Sequence, residues 1–145
     1  MDDIKIIYDK DGYFDIDIKN GDIQTDEDIE TAVLISLFCD RRANDDEIDV
    51  LDKRGWYGDL YSIQQNDKTG SKLWLLKREK LTALTIARIR NYSNEALAHL
   101  VEDKRVKDID VNVEKLATEA VLLTVKVTLF TNEIKQYQYD YSLGY

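Results

Sequence analysis

The chain of 145 residues contains no proline, one cysteine (Cys39) and one histidine (His99). Without proline there is no cis-prolyl turn and no stiff Pro-rich linker. A lone cysteine excludes an internal disulfide and fits a reducing compartment. His99 lies between Leu97 and Leu100 with no Cys, Asp or Glu at metal-ligand spacing, so a packed or surface helix histidine is expected and no metal or cofactor. No apolar run approaches the roughly 20 residues that span a bilayer. Met1-Asp2-Asp3 is acidic and no apolar signal segment follows, which predicts a soluble protein kept in the cytoplasm. Positive charge is also short: 20 Lys and Arg face 29 Asp and Glu, a net charge of −9. That balance argues against tracking nucleic-acid phosphates and against docking on anionic lipid. Lys72, Lys77, Arg78, Lys80, Arg88 and Arg90 are close in sequence and read as a solvated helix face. Phosphate-binding loops, dinucleotide fingerprints and zinc spacings are missing as well.

What is present fits one domain, large enough to bury roughly 68–70% of its unfolded surface. Ile4, Ile6 and Tyr8, then Phe14, Ile16 and Ile18, alternate with polar residues around an Asp9–Gly12 turn and predict a half-buried hairpin. Asn20-Gly21-Asp22 is a second turn, with Ile23 opening a short third strand. Thr25 or Asp26 can cap a helix whose first turn holds Glu27 and Asp28. That helix carries Ile29, Val33, Leu34, Leu37 and Phe38 at helical spacing, Ala32 and Ile35 broaden its face, and it ends near Cys39 or Asp40. Residues 44–65 read as an Asp-rich loop, and Gln64–Gly70 as a polar surface loop. Ser71 is the expected cap of a short helix with Leu73–Leu76. Thr82 is the expected cap of the longest helix, which reaches Glu102 on Ile86, Ile89, Tyr92, Ala96, Leu97, Leu100 and Val101. Val106–Val113 and Val121–Leu129 then alternate as two strands joined at Leu116–Glu119, the return strand being the longer. The order predicts an α+β fold with a mainly antiparallel sheet, made of N- and C-terminal hairpins packed on two or three helices. Residues 1–135 form the single domain and residues 136–145 a Tyr-rich tail.

Three segments concentrate the unusual residues: Asp40-Arg41-Arg42-Ala43, Arg54-Gly55-Trp56-Tyr57-Gly58-Asp59 and Gly70-Ser71-Lys72-Leu73-Trp74-Leu75-Leu76. Both tryptophans and several glycines lie here. Arg41, Arg42, Arg54 and Asp59 are read in two compatible ways. They meet a partner, or they tie the Asp-rich loop Asn44–Asp52 to the body. Trp74, among leucines, is expected in the core, while Trp56, between glycines, is open to either an interface or the core. Cys39 is expected as a buried, inert thiol. Carboxylate pairs such as Asp45/Asp46, Glu102/Asp103 and Asp108/Asp110 are plentiful, but nothing marks one as a glycosidase pair. Tyr137, Tyr139 and Tyr141 share one face of an extended strand and suggest a segment that docks on a neighbour by strand addition.

The run Asp11–Asp15, then Asn20–Asp22, then Glu30–Ala43, together with Arg54–Asp59 and Gly70–Leu76 in the same order, resembles the Mu-like phage baseplate protein family over roughly residues 11–113. That family is the counterpart of the baseplate wedge and sheath-initiator proteins of contractile tails. The resemblance implies a non-enzymatic structural subunit of a phage tail or tail-like particle, assembled in the bacterial host cytoplasm and carried in the virion baseplate. It implies contacts with other wedge proteins, the tail sheath protein and the tail tube or hub, in several copies, six expected, without nucleic acid or membrane. Arg41, Arg42, Arg54, Trp56, Tyr57 and Asp59 would organise the loop that touches neighbours. Related sheath initiators carry Glu-Pro-Arg where the last helix meets the next strand. Here the stretch is Glu102-Asp103-Lys104-Arg105, with Glu102 and Arg105 as the acidic and basic members. The competing readings are a tail-associated, lysozyme-like cell-wall glycan hydrolase and a small cytosolic protein-binding adaptor.

Overall fold

A computed structural model of the chain describes residues 3–9, 11–26, 29–49, 51–61, 63 and 68–144. Glu27 and Asp28, expected in a first helical turn, and residues 64–67 of the polar loop lie outside the described residues. The fold is α+β, as the element order predicts. Short strands β1 (Asp3–Ile4) to β6 (Thr25–Asp26) precede helix α1 (Glu30–Phe38). Two 3₁₀ turns (Tyr57–Tyr61 and Leu73–Leu76) and helix α2 (Ala83–Glu102) follow. Strands β7 (Asp108–Ala117), β8 (Ala120–Thr128) and β9 (Ile134–Ser142) close the chain.

The N-terminal strands form three antiparallel ribbons. β2 (Ile6–Tyr8) pairs with β3 (Phe14–Ile16), β4 (Ile18–Lys19) with β5 (Asp22–Ile23), and β1 with β6. The ribbons meet where Lys5, Asp17 and Gln24 exchange backbone bonds of 2.8–3.0 Å. Each extended segment therefore pairs with a different partner in each half, and the circuit closes on itself. Asn20 and Gly21 both have positive φ, 54° and 78°, the backbone a tight β4–β5 turn of this hand requires. The predicted hairpin is thus present. Its first strand is half-buried, with Ile6 and Tyr8 packed against the core, whereas its second is not: Phe14, Ile16 and Ile18 are exposed.

Thr25 and Asp26 lie in β6, paired with Ile4 and Asp3, and so do not cap α1. Ile29 takes the cap position with no side-chain bond. Val33, Leu34 and Leu37 face the core, whereas Ile35 turns outward. α2 is the longest helix and starts as expected, with Thr82 Oγ1 accepting from Thr85 N at 3.2 Å. Ile89, Ser93, Ala96, Leu97 and Leu100 form its buried stripe, while Val101, on the predicted face, is exposed. The helix ends without glycine or proline. Lys104 adopts φ 56°, and Arg105 N and Val106 N both donate to Leu100 O at 3.0 and 3.2 Å. A left-handed residue thereby satisfies the last carbonyls. Proline cannot take that φ, so this junction turns by a geometry that Glu-Pro-Arg could not copy with its proline at position 104.

β7, β8 and β9 form one antiparallel sheet in that order. The β7–β8 turn is shorter than predicted, since Leu116 and Ala117 still belong to β7, and β8 is not the longer strand: it spans 9 residues against 10. The largest revision concerns the tyrosines. Rather than docking on a neighbour, Tyr137, Tyr139 and Tyr141 lie on β9 opposite Val125, Leu123 and Val121 of the same chain. Tyr139 and Tyr141 are buried. They join Val111, Val113, Val121, Leu123, Val125 and Val127 on the inner sheet face, against Val33, Leu34 and Leu37 of α1 and Ile89, Leu97 and Leu100 of α2. Each such side chain contributes about 1.5–3 kcal/mol by leaving water.

The two sheet edges differ. Tyr8 Oη donates to Asp140 O at 2.9 Å and Lys77 Nζ to Ser142 O at 2.6 Å, which caps the Asp140–Ser142 end of the outer edge of β9. Since Asp140 O points away from β8, alternation along antiparallel strands turns the backbone groups of Leu122 toward Glu114 and leaves the backbone N–H and C=O of Ile109, Val111 and Val113 on the open edge of β7. Among the described residues, no backbone group pairs with that edge of β7.

Candidate functional site

The three unusual segments converge. Asp40 and Ser71 form an isolated parallel bridge, with Ser71 N donating to Cys39 O and Arg41 N to Ser71 O, both at 2.9 Å. Gly70 has φ 93°, and a Cβ there would overlap the Cys39 carbonyl. Only glycine lets the two strands approach. Ser71 Oγ accepts from Leu73 N at 3.3 Å and donates to Leu37 O at 2.5 Å. It thus stitches the 3₁₀ turn to α1, although the cap position by backbone angle is Lys72.

Trp74 is buried, as expected, and its indole N–H donates to Arg41 O at 2.8 Å. Above its ring, at 4.6 Å, sits the guanidinium of Arg54, which is held by Asp40 at 2.6 Å. Arg41 is bound inward. Nε and Nη2 donate to Lys68 O at 3.2 and 2.8 Å, and Nη1 reaches Glu95 at 3.3 Å. Arg42 is exposed, with one bond among the described residues, Nη1 to Arg54 O at 3.4 Å. Asp59 pairs with none of the arginines. Its carboxylate accepts from Thr69 N and Thr69 Oγ1 at 3.0 and 3.1 Å, clipping the Trp56 loop to the residue before Gly70.

Lysines, not arginine side chains, tie down the Asp-rich loop. Lys53 meets Asp45 at 3.8 Å and Lys72 meets Glu47 at 2.7 Å. Burial opposes both charges of the second pair, but their mutual hydrogen bond outweighs it together with other partners, the Asn44 N–H and nearby lysines lowering the Glu47 pKa and the Glu95 and Glu47 carboxylates raising that of Lys72. Lys72 and Lys77 therefore do not belong to a solvated helix face. Burial lowers the Lys77 pKa, and its ammonium lies 4.7 Å over the ring of Tyr141. Burial, then Asp40, raises the Tyr141 pKa, and its hydroxyl donates to Leu73 O at 3.1 Å.

Trp56 and Tyr57 point to solvent, 64% and 70% exposed. The Trp56 ring lies so close over Gly58 that no Cβ fits beneath it. Tyr57 and Tyr61 share a hydroxyl–hydroxyl bond of 2.8 Å, with ring centroids 5.4 Å apart; that bond raises the Tyr57 pKa. Cys39 is exposed rather than buried. It lies beside Trp56 in a shallow cleft of about 620 Å³ that also includes Ile35, Asp40, Arg54 and Thr69. Its thiol pKa is raised by partial burial and then by Asp40, the opposite of a reactive thiolate.

Glu102 and Arg105 lie at the α2 end of a groove of about 640 Å³ between α1 and α2, which Arg41, Glu95 and His99 also line. Neither makes an ion pair among the described residues. The pairs Asp45/Asp46, Glu102/Asp103 and Asp108/Asp110 are all exposed, so burial sets no carboxylate apart from its neighbour. Among the described residues no three His, Cys, Asp or Glu side chains gather as metal ligands. Among the described residues no helix is long and apolar enough to cross a membrane. Sequence reasoning missed Thr69 and Glu95. Thr69 directly precedes Gly70, but nothing in its type announced that it would receive Asp59.

The model of the family described as phage protein GP46 matches residues 29–134. The chain is 40% identical over 144 residues to the baseplate protein gp46 of Escherichia phage Mu, covering 96% of this chain and 95% of that protein. It is 32% identical over 118 residues to the Mu-like prophage FluMu protein gp46 of Haemophilus influenzae, covering 81% of each.

Proposed function

The chain belongs to the phage protein GP46 family, and from that premise we propose that it is a structural baseplate subunit of a contractile tail. It joins the baseplate wedge to the first sheath ring. The printed name of the Mu relative supports the baseplate role. The initiator role rests on the β7 edge, ten residues long and without a backbone partner among the described residues. Such an edge is ordinarily covered or blunted, because it templates an added strand. Here it is the natural acceptor for an extended segment of a sheath subunit. Glu102 and Arg105, without ion pairs among the described residues, stand at the head of the same strand and meet a wedge, tube or hub neighbour. Six copies would surround the tube. The role is structural and needs no cofactor.

The test is electron microscopy of particles from the source phage with this gene deleted and then supplied in trans. Bare tubes, or no baseplates, are expected in the deletion. Lys115→Pro removes an N–H that faces the open edge rather than β8, so the folded monomer should persist while sheath fails to start; Lys115→Ala should restore it. Fully sheathed particles from the deletion would overturn the proposal.

A further inference from the structure

The segment from Leu51 to Ile63 places six large apolar side chains in solvent: Leu51, Trp56, Tyr57, Leu60, Tyr61 and Ile63. On a chain whose charged residues make up 34% of the total, such a concentration is the mark of an interaction surface. The ridge is held in place before any partner arrives. Asp59 is clipped to Thr69, Trp56 rests on Gly58, and Tyr57 is bonded to Tyr61. A rigid aromatic anchor loses little freedom on binding.

Charge at the rim indicates what binds. In the cleft beside Trp56, Asp40 is already paired with Arg54. Arg42 packs its stem where a Gly55 side chain would be, and its guanidinium meets no carboxylate among the described residues. Arg42, bonded to Arg54 O beside Gly55 of the cleft, thus presents a cation with no carboxylate partner among the described residues, on a chain of net charge −9. A second copy is a poor occupant. Two such chains repel, and the acidic loop that could complement Arg42 is held by its own Lys53 and Lys72.

We propose that the Trp56 ridge and its cleft dock an apolar segment of a different particle protein, with an Asp or Glu placed to pair with Arg42. The proposal rests on the baseplate reading and supplies the chemistry of one partner. It is tested by placing the photo-crosslinker p-benzoylphenylalanine at Trp56 and, separately, at Tyr57 in the full chain. Cells producing the source phage are irradiated before particles are purified, and the joined peptides are sequenced. The expected product is one peptide of another particle protein, carrying an acidic residue beside its apolar contact. Arg42→Glu should lower its yield about tenfold or more, the scale of a buried hot-spot contact, and Arg42→Lys should retain most of it. Crosslinks to a second copy, a peptide without an acidic residue, no crosslink from either position, or a yield indifferent to Arg42→Glu would each overturn it. The outcome is read independently of sheath. Normal sheathing in the gene deletion refutes the initiator role while leaving the crosslinked peptide as the answer on docking.

Discussion

Replacing Gly70 by alanine should destabilise the protein far more than one methyl group suggests. At φ 93° an alanine is in a region that costs about 1–2 kcal/mol. Its methyl would also overlap the Cys39 carbonyl, so the bridge between Asp40 and Ser71 must open. Two bonds of 2.9 Å, Ser71 N to Cys39 O and Arg41 N to Ser71 O, are then lost or stretched, at about 1 kcal/mol each. Alanine returns about 0.4–1 kcal/mol by stiffening the unfolded chain. The net loss is about 2–4 kcal/mol, which at about 2–4 °C per kcal/mol for a chain of this size lowers Tm by roughly 4–16 °C. Gly21→Ala is the internal control. Gly21 has φ 78° but nothing within 4 Å of its missing Cβ, so it carries the conformational cost alone, about 1 kcal/mol. Urea and thermal unfolding of both variants measure the difference. Equal losses at the two positions would refute the close approach as the reason for glycine at position 70.

Three further outcomes follow from the same geometry. Trp74→Phe removes the donor to Arg41 O and the wider ring under Arg54, and should cost about 2–3 kcal/mol in urea unfolding, whereas Trp56→Ala should stay within about 0.5 kcal/mol of the native chain. Lys104→Gly relieves the left-handed residue at the α2 terminus and should raise stability by up to about 1 kcal/mol, read as a higher Tm. Because the folded state lowers the Glu47 pKa, its contribution is present above its ordinary carboxylate range and fades as pH falls through the lowered value. Glu47→Gln should therefore destabilise at pH 7 and converge with the native chain in acid, as followed by unfolding at stepped pH.

α2 was legible because two independent signals agree on it, the Thr82 cap and a stripe from Ile89 to Leu100 at helical spacing. β7 and β8 were legible from strict alternation. β9 was half legible. Its period of two was plain in Tyr137, Tyr139 and Tyr141, but alternation states which face a side chain takes and not which strand lies alongside. The turn before it runs through Asn132, at φ 64°, with no glycine to announce a hairpin. The ribbon circuit was hidden for a similar reason, since segments of two or three residues carry too few side chains to specify a register. At the site, the three segments were marked as one unit by their glycines and tryptophans. The pairings within it were not, because charges in loops have many partners at comparable sequence distance. Asp59 went to Thr69, and the Arg54 side chain went to Asp40.

The closed circuit of N-terminal ribbons gives the molecule a direction. Each extended segment there pairs its two halves with the other two segments, and Tyr8 and Lys77 cover the Asp140–Ser142 end of β9. Among the described residues β7 is the long strand whose whole outer edge carries no backbone partner. On the proposed reading, a series of strand-exchanging neighbours would set out from the β7 side, and the subunit's own placement would set where that series begins.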